Sequence, residues 1–185
     1  MLRKKQYRQT FSFDQAAGFS RCVQASAWAS FIPQLFTPHQ FVTQTYREET
    51  SLNSVLRRHG YLVQEVNREI FGNNWRRHGD GVSFVLGVEP QLRGVLHTHA
   101  VWDADFVPYD LIHSTMKRLG GLAWVEPVTT TCGVGHYVTK YAVKSGQVHI
   151  YLSRQIQALR NAVPGLTVGG CGRDALSAEA QPGDC

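Results

Sequence analysis

A chain of 185 residues with 43% hydrophobic content can bury one sizeable core, but it is too short to add a motor domain such as a helicase. Nineteen Lys and Arg against fourteen Asp and Glu leave a net charge of +5, compatible with a polyanionic partner and equally ordinary for a soluble enzyme. The four cysteines form no C-x-x-C pair, which argues against a zinc knuckle or a disulfide framework and fits a reducing cytosol.

The N-terminal part of the chain predicts a helix and no sorting signal. Residues 1–8 are basic, but the stretch after them lacks the uniform apolar core of a signal peptide. Residues 13–36 have a helix-like pattern that Pro33 and Pro38 bring to an end. We therefore interpret 1–39 as an N-terminal helical extension and, because no long apolar span occurs, expect a soluble cytoplasmic protein without a membrane partner.

A strand and a helix are predicted next. Residues 40–46 are β-branched and aromatic with rough alternation, which predicts a strand with Phe41, Thr43 and Thr45 on one side. Residues 51–71 carry apolar side chains at helical spacing, with an interruption near their single glycine. Strand and helix have thus alternated once.

The middle of the chain predicts a β-hairpin between a loop and a helix. Residues 72–81 are polar and rich in Asn and Arg, as a loop requires. Residues 82–88 and 94–102 then read as two strands joined by the turn 90–93. Residues 109–119 follow as a short helix that two glycines end.

The order of the remaining elements sets the expected fold. Residues 122–128 predict a strand, 133–144 a helix, and 148–152 a further strand-like segment. The order suits an antiparallel sheet with helices packed on one face, the α+β class, better than a doubly wound parallel sheet. We assign this domain to 40–164 and interpret 165–185, which has almost no large apolar residues, as a disordered tail.

A histidine pair in the second hairpin strand suggests a metal site. His97 and His99 alternate along the strand and therefore project two imidazoles from one face. Of the nearby carboxylates, Glu89 ends the partner strand across the turn, whereas Asp103 and Asp105 lie beyond the strand and would have to fold back. Two imidazoles and one carboxylate suit Mn²⁺ or Mg²⁺ that also holds a phosphate oxygen. The competing interpretation is two hydrogen-bonded histidines in an ordinary sheet.

A second cluster lies on the predicted helix over 133–144. Tyr137 and Tyr141 share one face of that helix with Lys140 and Lys144. A tyrosine phenol is ordinarily protonated at neutral pH, so its use as a nucleophile on phosphate requires nearby positive charge. The glycines of 133–136 would let the helix begin close to a bound backbone. The alternative is that both rings are core packing.

Three segments carry a family resemblance. FVTQTY at 41–46, VLHTHAV at 95–101 and YVTKYAVK at 137–144 resemble, in order and approximate spacing, the three motifs of the HUH endonucleases that initiate rolling-circle replication. The last segment is especially similar to the two-tyrosine type found in the A proteins of small single-stranded DNA phages. The first motif departs from the pattern at Gln44, where many relatives have an apolar residue.

The resemblance implies a ferredoxin-like nuclease fold in which His97 and His99 bind a divalent metal with Glu89 as third ligand. It also implies that Tyr137 attacks the scissile phosphate of single-stranded DNA at a replication origin. The products would be a 5′-phosphotyrosine and a free 3′-hydroxyl that can prime synthesis. The expected activity is therefore sequence-specific nicking and joining in a bacterial host cell.

Further roles follow from the same resemblance. Tyr141 matches the second nucleophile, and Lys140 matches the lysine that helps position or stabilise the phenolate and phosphate. Because transesterification conserves the bond energy in the protein linkage, no nucleotide cofactor is needed. No P-loop motif occurs, so unwinding and synthesis would come from a host helicase and polymerase.

Other functions share parts of this pattern. A metal phosphoesterase that uses water would need the histidines and not the tyrosines, and an origin-binding module or repressor would bind DNA without cutting it. A related HUH transposase would share the whole site. The sequence also contains two arginine pairs that could line a DNA path or be solvated, namely Arg57, Arg58, Arg76 and Arg77.

Overall fold

A computed structural model gives the fold and describes residues 9–12, 21–91, 94–130, 133–138 and 147–162. These residues contain six strands and six helices. The strands are β1 Gln9–Ser12, β2 Gln40–Tyr46, β3 Phe84–Pro90, β4 Leu96–Trp102, β5 Gly121–Pro127 and β6 Gln147–Tyr151. The helices are α1 Arg21–Leu35, α2 Leu52–Phe71, α3 Trp75–His78, α4 Tyr109–Arg118, α5 over 133–138, and α6 Arg154–Ala162.

All six strands join one sheet. Their order is β1-β6-β3-β4-β2-β5, and every neighbouring pair is antiparallel. The predicted hairpin is confirmed as β3 and β4, and the predicted first strand is confirmed as β2. The chain is therefore α+β with helices packed on an antiparallel sheet, compatible with a ferredoxin-like arrangement, as the sequence predicts.

Helices cover both faces of the sheet, whereas the sequence predicts them on one. Successive strand residues point to opposite faces, so each strand supplies two cores. On one face, α2 and α4 pack over Val42, Leu86, Ala100 and Trp102. On the other, α1 and α5 pack over Val85, Val101, Val148 and Ile150. The one-face prediction is wrong because helical spacing shows that a helix has an apolar side without showing which sheet face it covers.

Three local expectations also change. Helix α2 runs without interruption through Gly60, and its N-terminus is capped by the Ser51 hydroxyl, which accepts the Ser54 N–H at 3.3 Å. A mid-helix glycine costs about 1 kcal/mol relative to alanine, which the buried stripe of α2 outweighs. Pro33 lies inside α1 instead of ending it. Strand β1, within the predicted helical extension, was not anticipated.

None of the described helices combines the length and apolar character needed to cross a membrane.

The unusual Gln44 of the first motif is fully buried under α2 and α4. Its Oε1 accepts hydrogen bonds from Thr98 Oγ1 at 2.9 Å and from His59 Nδ1 at 2.5 Å. Its Nε2 lies 3.0 Å from the sulfur of Met116. The amide thus joins β2 to β4, α2 and α4, which explains why a polar residue is accommodated at this core position.

Asp103, just beyond β4, gives the stability a specific pH dependence. Burial raises the pKa of Asp103 from an ordinary 3.8 to about 6, although its carboxylate accepts the Ser83 N–H at 2.5 Å. The folded state therefore holds this proton more tightly than the unfolded state. The stabilising contribution of Asp103 to the free energy of unfolding is complete below pH 4. It is lost as the pH rises through 6, and the loss amounts to about 2 to 3 kcal/mol.

We expect Asp103→Asn to remove this contribution, because an amide keeps the hydrogen-bond acceptor and does not titrate. Urea unfolding of both proteins between pH 4 and 8 measures it. The difference in stability between variant and wild type should grow in favour of the variant as the pH rises from 4 to 6 and then level off. A pH-independent difference would contradict the shifted pKa.

Candidate metal centre

The hairpin register brings three metal-ligating side chains together. Glu89 of β3 pairs directly with His97 of β4, and His99 lies two residues further along β4 on the same face. The Nε2 atom of His97 lies 2.5 Å from Glu89 Oε1 and 3.1 Å from His99 Nε2. The third side of this triangle, from His99 Nε2 to Glu89 Oε1, measures 3.8 Å. All three side chains are largely shielded from solvent.

This geometry fits a divalent ion. Each residue offers one ligand atom, and the three atoms all lie within 4.8 Å of one another. Neighbouring ligands at metal bonds of about 2.1 Å in octahedral geometry lie about 3 Å apart, which is within the range of the three distances. The buried Glu89, His97 and His99 group, called the metal group below, could therefore hold a metal ion. The predicted choice of Glu89 over Asp103 and Asp105 agrees with this cluster, because those two side chains bond Ser83 and His39 instead.

Gln91 contacts His97 on the side of the ring away from Glu89. The Nε2 atom of Gln91 lies 3.0 Å from His97 Nδ1, and His97 Nε2 lies 2.5 Å from Glu89 Oε1. A metal on His97 Nε2 requires that nitrogen to lose its proton and Nδ1 to carry one. Rotation of the Gln91 amide would then present its oxygen to Nδ1–H, which is the usual support of a metal-bound imidazole.

The other histidine connects the metal group to Tyr137. His99 Nδ1 lies 3.1 Å from the Tyr137 hydroxyl and 3.1 Å from Thr43 Oγ1, and the two hydroxyls are 2.7 Å apart. The Tyr137 ring also packs on Phe41, with ring centroids 4.3 Å apart. The phenol therefore lies at the Nδ1 end of His99, while the nitrogen available to a metal is at the opposite end of the ring.

Gly135, one of the two glycines in α5, lets this helix lie close against α1. A Cβ added to Gly135 would overlap the Ala25 carbonyl oxygen and come within 2.6 Å of the Ala29 Cβ, both on α1. The close approach that the glycines permit is therefore to another helix, where the sequence predicts a bound backbone. The first turn of α5 is held by Thr130, whose Oγ1 accepts the Gly133 N–H at 3.0 Å.

Gly135→Ala should push α5 away from α1 and lower the free energy of unfolding by about 1 to 3 kcal/mol. Gly60→Ala is the matched control, because a Cβ at that position of α2 meets nothing within 4 Å. It should stabilise the protein by about 0.5 to 1 kcal/mol. Urea denaturation of both variants measures the two effects, and equal effects of the same sign would contradict the close helix contact.

The remaining predicted site residues have different outcomes. Lys140, Tyr141 and Lys144 lie outside the described residues, as does the predicted tail. Thr43, Phe41 and Gln91 were not predicted as site residues; the alternation of β2 places Thr43 and Phe41 on the histidine face and could have identified them.

The two arginine pairs lie on α2 and α3, on the side of the sheet opposite the metal group. Arg58 stacks over the Tyr46 ring at 5.1 Å, and Arg76 stacks over the Trp75 ring at 4.9 Å. Arg57 and Arg77 are exposed. A DNA path along these arginines would therefore not pass the histidine pair.

Searches against family models, curated proteins and solved structures gave no match to this chain. The likeness of the three motifs to HUH endonucleases therefore stays an expectation. The function has to be argued from the chemistry of the site.

Proposed function

We propose that the protein is a metal-dependent endonuclease and strand transferase for single-stranded DNA. In this proposal it nicks a replication origin through a 5′-phosphotyrosine intermediate and so initiates rolling-circle replication. The observation that carries it is the link from Glu89 and His97 through His99 to the hydroxyl of Tyr137. This link places a possible oxygen nucleophile next to a histidine of the candidate metal site.

Glu89, His97 and His99 would hold Mn²⁺ or Mg²⁺ and leave coordination positions open. Two imidazoles favour manganese, while a hard carboxylate also accepts magnesium. The ion would supply Lewis-acid polarisation of a phosphate oxygen. Because the three ligands come from two adjacent strands, they need little rearrangement to bind.

His99 would prepare the Tyr137 phenol. With His99 bound through Nε2, its Nδ1 carries the proton and can donate it in a hydrogen bond to the phenol oxygen. That donation stabilises a phenolate. Thr43 Oγ1, 2.7 Å from the same hydroxyl, can share a hydrogen bond with the phenol in this resting position. The proton that the phenol releases balances the proton that the leaving 3′ oxygen takes up.

The chemical step is a transesterification. The phenolate oxygen of Tyr137 forms a bond to phosphorus, the bond from phosphorus to the 3′ oxygen breaks, and that oxygen takes up a proton to become a hydroxyl. Because Tyr137 rests at the Nδ1 end of His99, its phenol must swing away from Thr43 to reach a phosphate held beside Nε2. Lys140 would stabilise the phosphate, and Tyr141 would make the second cut.

One observation supports a second candidate. The present position of Tyr137 is equally that of a residue that fixes the tautomer of His99, as second partners of metal-bound histidines do. In that case either water attacks and the protein is a phosphoesterase, or Tyr141 attacks and the protein is a nuclease with a single tyrosine nucleophile. An HUH transposase would use the same steps as the initiator on a different DNA target.

Covalent capture distinguishes these functions. A 3′-labelled library of randomised single-stranded oligonucleotides is incubated with the protein and Mn²⁺ and run on a denaturing gel, because the 3′ part of the strand is the part that stays bound to the tyrosine. Any adduct is then mapped by mass spectrometry. An adduct on Tyr137 is the expected result, and sequencing the captured DNA identifies the preferred site. Cleavage without an adduct would show water as the nucleophile, and binding alone would show a DNA-recognition module.

A further inference from the structure

Two large apolar side chains are exposed on the outermost strand of the sheet. Trp124 and Leu122 of β5 keep 59% and 60% of their surface accessible. They are two residues apart, so they project from the same face of β5 and lie side by side. Exposed aromatic and aliphatic side chains that adjoin a candidate active site are a common feature of ligand-binding surfaces.

The strand register places both residues on the metal-binding face. Trp124 pairs with Thr43, which pairs with His99. Leu122 pairs with Thr45, which pairs with His97, and His97 pairs with Glu89. Directly paired side chains lie about 5 Å apart, so two rows of side chains run from the edge of the sheet to the metal ligands.

The β5 side of this face is open among the described residues. Helices α1 and α5 cover β3, β4 and β6 through the second core, to which β5 contributes nothing. Helix α4 packs on the opposite face of β5, where Met116 and Ala123 are buried in the first core. Trp124 and Leu122 therefore form an apolar platform at the sheet edge, separated from the metal group by strand β2.

We propose that Trp124 and Leu122 stack the unpaired bases next to the phosphate held by the metal group, an inference that rests on the proposed function. Bases of single strands expose flat faces that stack on aromatic side chains, whereas duplex bases are stacked already. Two β-strand spacings, about 10 Å, separate Trp124 from His99. One or two nucleotides of extended single-stranded DNA can bridge this distance. Stacking orients the strand so that the scissile phosphate is presented to the ligands.

The charge on this face of the sheet favours one path for the bound DNA strand. Glu126 follows Trp124 on the same side of β5, opposite Phe41, and is exposed. Its carboxylate repels a phosphate backbone at that end of the platform. The DNA strand is therefore expected to pass over Trp124 and Leu122 and to avoid the end of β5 at Glu126.

Tryptophan fluorescence provides the test, because Trp124 is exposed and the other three tryptophans of the chain are buried. Trp28, Trp75 and Trp102 retain 7%, 5% and 0% of their surface. Addition of a dT15 oligonucleotide to the protein with Mn²⁺ should quench the solvent-exposed, red-shifted part of the emission. Trp124→Ala should raise the Kd for dT15 about 10- to 100-fold, and Trp124→Phe should restore most of the affinity.

Two matched variants make the result specific. Leu122→Ser should weaken dT15 binding in the same direction as Trp124→Ala. Phe71→Ala removes another exposed aromatic side chain, with 40% of its surface accessible, from the α2 side of the sheet and should leave the Kd unchanged. Unchanged dT15 affinity in Trp124→Ala, equal quenching by duplex DNA, or a change only in oligomeric state would overturn the platform.

The two proposals fail separately. Quenching and loss of affinity without any Tyr137 adduct would reject the nuclease and keep the single-strand platform. Adduct formation in Trp124→Ala at the wild-type KM for DNA would keep the nuclease and reject the platform.

Discussion

Replacing His97 by alanine should weaken Mn²⁺ binding by more than about 100-fold and abolish metal-dependent cleavage. The variant removes one of the three candidate ligand atoms and leaves those of Glu89 and His99, which lie 3.8 Å apart. Loss of residues that merely support a ligand already costs 10- to 100-fold in metal affinity, so loss of a ligand costs more. Isothermal titration calorimetry with Mn²⁺ measures the affinity without any assumption about the substrate.

His78→Ala is the control, because this histidine is exposed on α3, away from the metal group. It should bind Mn²⁺ like the wild type. His97 is also a better target than His99, since His99 contacts the Tyr137 hydroxyl and its loss would disturb two functions together. Wild-type Mn²⁺ affinity in His97→Ala would show that the ion binds elsewhere.

The grouping of Glu89, His97 and His99 was predictable because it depends on short-range rules. The turn after Pro90 fixes the register of β3 on β4, and strand periodicity then places Glu89, His97 and His99 on one face. Each step uses fewer than fifteen residues of chain. The hairpin and the meeting of these three side chains could therefore be derived before any long-range packing was known.

Features that need long-range packing were not predictable. The position of Tyr137 depends on Gly135 lying against α1, which is more than a hundred residues away in the sequence. The continuity of α2 through Gly60 depends on burial under the sheet, which outweighs local propensity. The platform on β5 required the knowledge that β5 pairs with β2 at the sheet edge, and nothing in its own sequence indicates that neighbour.

Tyr137→Phe should abolish the covalent protein–DNA adduct while leaving Mn²⁺ affinity close to that of the wild type. The substitution removes only the hydroxyl, and the ring can keep its packing on Phe41. His99 retains Thr43 Oγ1 as a partner at 3.1 Å, so its orientation should persist. The adduct is measured by denaturing gel and mass spectrometry, with Tyr109→Phe, an exposed tyrosine of α4, as the control.

The position of any remaining adduct decides between the roles of Tyr137. If Tyr137 is the first nucleophile, its phenylalanine variant gives no adduct, and Tyr141→Phe still makes the first cut but transfers strands poorly. If Tyr137 only holds the tautomer of His99, its variant forms a slower adduct on Tyr141, and its Mn²⁺ affinity falls by about 10- to 100-fold as well. If Tyr137 is the nucleophile, its variant loses the adduct and keeps its Mn²⁺ affinity, because a nucleophile acts on the phosphate. If Tyr137 is a positioning residue, the adduct moves and the Mn²⁺ affinity falls as well, because such a residue acts through the histidine.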